Sequence, residues 1–206
     1  MARTNTRLRM ITTAAKLMQR QGYHGTGLNQ ILAEAQAPKG SMYFHFPGGK
    51  DQLAAAAIGA SADYVIGVLD RHEASSTQDA VDAYIAGVAE SLEAREFATG
   101  CPIATVALEV GPAGGEVGEA CASAFERLIA HIAGWLERDG VPPDEAADRA
   151  FLIYAAIEGA ITFAKGQRST EPLEWLRRRL PDLLPARAVR RTKSAKPRSR
   201  SRSARR

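Results

Sequence analysis

Apolar residues in this chain recur at helical spacing from its first residues onward, and nowhere does a period of two persist. Leu8, Ile11, Ala15 and Met18 form a stripe along a first helix, with Gly22 placed to end it in a left-handed conformation. Thr26 stands where a cap belongs for a second helix, whose inward face is Leu28, Ile31, Leu32 and Ala35. Pro38 then takes the first position of a third helix, where its missing N–H costs nothing. Met42 and Phe46 point inward from it at i, i+4, and Pro47-Gly48-Gly49 closes it after about two turns, too few for a helix to be stable alone. A fourth helix begins at Lys50 and Asp51 and runs to about Leu69.

Longer helices are expected over roughly 77–96, 102–110, 116–139, 143–166 and 172–184. Gly111-Pro-Ala-Gly-Gly breaks two of them; with no strand before it and no Gly-Lys-Ser/Thr after it, it is not a phosphate loop. No Asn-Gly or Asp-Gly hairpin turn interrupts the series. The expected fold class is all-α, with a three-helix unit over 1–50, a longer helical unit over 51–186, and a Ser/Arg-rich tail over 187–206 that lacks the apolar groups to fold.

Composition changes this picture little. The chain has 206 residues, 45% hydrophobic and 24% charged, enough for one substantial core or two modest ones sharing a boundary helix. No apolar stretch follows the basic start, so no secretory leader is expected. The apolar run 150–164 is interrupted by Glu158 and falls short of a membrane span. A cytoplasmic protein without membrane contact is the expectation. Cys101 and Cys121 have neither the spacing nor the histidines of a zinc site, and reduced thiols are expected.

Charge changes it more. Residues 1–50 hold seven basic residues against one acid, the stretch 51–186 ten against twenty-two, and the tail ten against none. A basic head on an acidic body is the asymmetry of a protein whose one end meets a polyanion. Two helices joined by a tight turn, the second short, aromatic and basic, make a helix-turn-helix. In a short helix laid into a DNA groove, Lys39, Ser41, Tyr43 and His45 fall off the packing side. Gly40 lets the backbone approach closely, and Lys50 sits at a helix N-terminus, itself an anion site.

The stretch GYHGTGLNQILAEAQAPKGSMYFHFPGGKDQL resembles the N-terminal domain of the TetR family of transcriptional repressors. It carries the family's Gly-Tyr, its threonine cap, an Ile-Ala-like helix, the Lys-Gly-Ser-x-Tyr-x-His-Phe run and the lysine that opens helix four. The Pro-Gly-Gly-Lys form, together with GCPIATVALE at 100–109, is similar to the LmrA/YxaF-like branch. The resemblance implies that Thr26 caps and touches phosphate, that Lys39 and Ser41 reach bases or phosphate, and that Tyr43, His45 and Lys50 grip the backbone of double-stranded DNA. One departure stands out: Gln36 holds the turn position where the family usually has glycine. With positive φ there, it costs on the order of 1 kcal/mol.

The resemblance further implies that the body binds a small effector and dimerises. Ala155, Ala156, Gly159 and Ala160 are small residues along a greasy helix, and Leu173, Leu176, Leu180 and Leu183 stripe the next, so two copies would bury a four-helix interface. For an effector cavity the candidates are Phe97, Ile103, Val106, Phe125, Leu128, Trp135, Tyr154 and Glu158. A carboxylate within an apolar run needs a partner, and Glu158 is open to three: a cationic ligand, an arginine across the interface, or water. His24, His72 and His131 are read as structural or surface residues.

The function expected is a ligand-responsive repressor that binds an inverted-repeat operator as a homodimer and is released by a small apolar or aromatic effector. The alternative is an architectural DNA binder whose affinity resides in the basic tail. No catalytic triad, metal cluster or carboxylate pair points to an enzyme, and no cofactor is expected.

Overall fold

The computed structural model describes residues 2–71, 76–111 and 114–184, without the side chains of 2–5 and 183. His72, the side chain of Leu183 and the basic tail expected over 187–206 therefore lie outside the described residues. Those described form α1 (Ala2–Gln21), α2 (Leu28–Glu34), α3 (Lys39–His45), α4 (Gly49–Asp70), α5 (Thr77–Ala94), α6 (Pro102–Val110), α7 (Gly115–Arg138), α8 (Pro143–Gln167) and α9 (Glu171–Leu183), with no strand among them. Within the head α2 and α3 pack on α1, which in turn packs on α4 and α6, while α4, α5, α7 and α8 are the long helices that follow.

The core of the head keeps Ile11 and Met18 of the expected stripe but is otherwise rotated to neighbouring positions. Met10, Ile11, Ala14, Leu17 and Met18 are buried, whereas Leu8 is 61% exposed. From the second helix come Ile31, Leu32 and Ala35, and from the third Met42 and Phe46, as their spacing predicts. Gly22 closes α1 at φ +74, donating its N–H to the Met18 carbonyl. Pro38 is the N-cap of α3 rather than its first helical residue.

The turn between α2 and α3 is a Schellman closure made without glycine. Ala37 donates to the Leu32 carbonyl at 2.9 Å and Gln36 to Ala33 at 3.1 Å, with Gln36 at φ +50. Arg9 of α1 donates to the Gln36 carbonyl at 3.0 Å and braces the strained residue from below. The Val141 end of α7 closes in the same pattern with Gly140 in the left-handed place. Gln36→Gly should therefore stabilise the protein by about 1 kcal/mol and raise Tm by about 2–4 °C. Calorimetry showing an unchanged or lower Tm would mean that Arg9 and the Gln36 side chain offset the strain completely.

Helix α4 passes from head to body. By length and composition it is apolar enough to cross a membrane, a property the sequence reading assigned to no segment. Here Leu53, Ala54, Ala57, Ile58, Ala62 and Leu69 are buried, and the helix packs against α1 and α7. Its Asp63 pairs with Arg127, and Asp70 meets His131 at 2.8 Å, both on α7. At the other side of the body Arg177 of α9 clasps Asp82 of α5 with two hydrogen bonds of 2.9 Å.

Candidate nucleic-acid interface

Helix α3 is held by the two side chains it buries, Met42 and Phe46, each 1% exposed. The other residues of the helix turn wholly or partly outward. Lys39, Gly40 and Tyr43 are exposed, and Ser41 and His45 are half-buried. A Cβ on Gly40 would meet nothing within 4 Å, so the backbone there stands clear for a close approach. Lys50 stands at the start of α4, its ammonium 4.1 Å from the centre of the Tyr23 ring. The Tyr23 hydroxyl in turn hydrogen-bonds Asp51. Burial pushes Tyr23 up to about 12, with Asp51 adding to the shift, and burial lowers Lys50.

Thr26 does not fit the role expected of it. Gly27 is the N-cap of α2, and no side chain caps that helix. Thr26 is fully buried and its hydroxyl donates to the Gly22 carbonyl at 2.6 Å, tying the α1–α2 turn together beneath the surface. A hydroxyl so placed supports the turn and does not reach phosphate.

Two exposed groups escaped the sequence reading. Phe44 is 59% exposed on α3, edge-on to His45, and Arg7 lies over the Phe46 ring at 5.2 Å. Phe44 was legible in principle, since it shares neither i nor i+4 with the packing pair.

The head is also tied to α6, a link no motif announced. The Glu109 carboxylate accepts the His24 N–H at 2.8 Å, and Gln19 donates to the Gly100 carbonyl at 2.8 Å. One end of α6 thus holds the α1–α2 turn. Its other end, capped by the Cys101 sulfur accepting from the Ala104 N–H, looks into the body.

There the structure brings part of the expected cavity set together. Phe125 and Tyr154 meet edge to face with ring centres 6.1 Å apart, and the Cys101 thiol and Tyr154 hydroxyl lie near enough to Glu158 to favour its charged form. Tyr84 of α5 joins them, its hydroxyl pushed up by burial first and by the neighbouring acids Cys101 and Glu158 second. Tyr84, Cys101 and Glu158 lie deep in the protein, yet each keeps part of its surface accessible. This cluster draws on α5, the N-cap of α6, α7 and α8. Burial raises Glu158 above the usual carboxylate value, opposed by the hydrogen bonds from Cys101 and Tyr154, and burial pushes the Cys101 thiol well up. Both cysteines are free thiols.

The remaining candidates are elsewhere. Ile103, Val106 and Leu128 are packed to 1% exposure or less, and Trp135, like Tyr154, to 5%. Trp135 sits between His131 and Arg138, toward the end of α7. Phe97 belongs to a separate open cleft of about 480 Å³ with Glu93, Glu96, Arg168, Ser169 and Thr170.

The expected dimer face also changes. Leu173 and Leu180 are 0% and 1% exposed and Leu176 is half-buried, so this stripe packs inside the chain and is not available to a partner. Ala160 is buried as well, and Ala156 half so. What α8 leaves outward is Phe151, Leu152, Ala155 and Phe163, with Gly159 between them and open space where its Cβ would be. Phe151, Leu152 and Phe163 are 56%, 53% and 63% exposed, and Trp175 of α9 is 49% exposed.

Residues 10–57 match the family profile of bacterial regulatory proteins of the tetR family, and residues 77–179 that of the LmrA/YxaF-like transcriptional regulator C-terminal domain. The chain is 34% identical over 185 residues to an uncharacterized HTH-type transcriptional regulator of Mycobacterium tuberculosis, covering 86% of this chain and 93% of the relative. The HTH-type transcriptional regulator LmrA of Bacillus subtilis is 32% identical over 182 residues, covering 87% and 97%. Among solved structures, reduced NemR of E. coli matches with a TM-score of 0.74 at 25% identity, covering 89% of this chain and 100% of that one.

Proposed function

Since this chain belongs to the TetR family of bacterial transcriptional regulators, we propose that it is a cytoplasmic, ligand-responsive repressor that binds an inverted-repeat operator as a homodimer. The observation that carries this reading is the division of α3 into a buried anchor, Met42 and Phe46, and an outward set of Lys39, Gly40, Ser41, Tyr43 and His45. Lys50 at the α4 N-terminus supplies a further cation for phosphate. The second copy is recruited through the outward stripe of α8. Two heads then reach successive major grooves, about 34–36 Å apart on undistorted DNA.

Ligand responsiveness is supported by the course of α6. Its first turn is capped by Cys101, in the body, and its last turn holds His24 through Glu109. A molecule that moves Cys101 displaces both the Gln19 and the Glu109 contacts with the head. The operator-competent spacing of the two heads changes with them.

Lys39→Ala tests the role of α3. It should weaken operator binding by about 1–3 kcal/mol and relax preference at one symmetric pair of base positions. Tyr43→Phe should cost about 1 kcal/mol, the net worth of one hydrogen bond. Neither side chain packs in the core, so helical circular dichroism should be unchanged. Equal affinity of wild type and both variants at fixed salt would place DNA elsewhere on the molecule. The architectural alternative predicts instead that deleting 187–206 abolishes binding to operator and random duplex alike.

A further inference from the structure

The ammonium of Lys50 stands among acids without being given over to either of them. Two carboxylates lie near enough to act on it, Asp51 beside it in sequence and Glu109 from α6. Each is engaged elsewhere. The Tyr23 hydroxyl hydrogen-bonds the Asp51 carboxylate, and Glu109 Oε2 accepts the His24 N–H at 2.8 Å. The ammonium rests instead against the face of the Tyr23 ring, 4.1 Å from its centre. Tyr23 thus meets both members of the Lys50-Asp51 pair, the acid with its hydroxyl and the base with its ring. It is half-buried and fixed in the α1–α2 turn, where its carbonyl accepts the Thr26 N–H at 3.2 Å.

A carboxylate in contact with an ammonium cancels much of its attraction for an approaching phosphate. A ring face does not, because it holds the cation without neutralising its charge. The ring also confines a four-carbon stem that would otherwise sample many rotamers, so less freedom is lost when a phosphate is bound.

We propose that Tyr23 is a positioning residue for DNA: its ring holds the Lys50 ammonium ready for a phosphate, and its hydroxyl keeps Asp51 from neutralising it. The inference rests on the reading of the head as a DNA-binding unit and adds to it a residue that acts through Lys50.

The test follows the full-length protein on two duplexes, the one it enriches from a random-sequence library and a scrambled form, over a range of salt concentrations. The slope of log K against log[salt] counts the phosphates neutralised, whatever their sequence. Lys50→Ala should lower that slope by about 2, one phosphate for each copy in the dimer, and weaken binding to both duplexes roughly tenfold. Tyr23→Leu removes ring and hydroxyl together and should lose at least half as much slope. Added to Lys50→Ala, it should cost nothing further, because the two changes act on one contact.

Tyr23→Phe alters only the hydroxyl and should remain folded even if the leucine variant does not. It frees Asp51 and should bind more weakly than wild type, and Asp51→Asn should improve it by a larger factor than it improves wild type. A folded Tyr23→Leu protein with the wild-type slope overturns the proposal. So does an equal loss from Tyr23→Leu with and without Lys50, or an equal gain from Asp51→Asn in both backgrounds. An unchanged slope in Lys50→Ala while Lys39→Ala weakens binding removes this inference and leaves the DNA-binding reading standing. If neither lysine matters, the reading falls with it.

Discussion

A chain carrying Leu152→Glu and Phe163→Glu will sediment as a folded monomer and lose operator affinity by roughly two to four orders of magnitude. Both side chains are more than half exposed in the single chain, so replacing them removes nothing from its core. In a dimer they become the centre of the α8 contact, where a carboxylate without a partner is expensive to bury. The loss on DNA is large because joining two heads makes the second binding event intramolecular, with an effective concentration in the millimolar range for a short connection. Leu173→Glu is the instructive contrast. That residue is fully buried within one chain, so its substitution should unfold α9 before it changes association. Sedimentation of the folded double variant as a dimer would move the interface off α8.

Gly22→Ala is expected to cost about 2 kcal/mol and to lower Tm by about 4–8 °C. The residue holds φ +74, a region where any side chain is strained by about 1–2 kcal/mol. Its Cβ would also stand 1.5 Å from a carboxylate oxygen of Glu109. That carboxylate is the far end of a flexible side chain and can swing away, but only by releasing the His24 N–H it accepts at 2.8 Å. The substitution therefore opens the contact between the head and α6 as well as straining the turn. Combining it with Glu109→Ala should give less than the sum of the two separate losses, because the clash and the hydrogen bond share one partner. Strict additivity would show that strain at Gly22 is the whole effect. The same pair of variants should blunt effector-driven release of operator while leaving effector binding intact.

The helices were legible because their period is. Ile31, Leu32, Met42 and Phe46 are buried as their spacing requires, and Gly22 adopts the left-handed geometry that only a glycine takes without strain. The outward residues of α3 were legible by subtraction from that packing pair. Thr26 misled because a threonine just ahead of a helix has two local uses; its hydroxyl bonds back to Gly22 instead of forward to the helix.

The α9 stripe misled for a different reason. A row of leucines says that a face is buried but not by what, and Leu173 and Leu180 find cover within their own chain. The outward stripe of α8 was hidden because α8 is apolar on two sides, and composition does not separate the side facing the core from the side left over. The cluster around Glu158 needed coordinates altogether. Tyr84, Cys101 and Glu158 come from three helices separated by up to 74 positions, and no spacing along the chain announces their meeting. Glu158 alone betrayed itself, as an acid within an apolar run.

The central claim is that two copies of α3 read DNA across a twofold axis. Selection of bound duplexes from a random-sequence library by the full-length protein, at one fixed salt concentration, tests it most directly. The account predicts an enriched inverted repeat, preferred over its scrambled form by roughly 10³ or more, with the Lys39→Ala protein losing preference at one symmetric pair of positions. Recovery of duplexes with no shared sequence, or of a single unrepeated half-site bound equally well by the Lys39 variant, would contradict it.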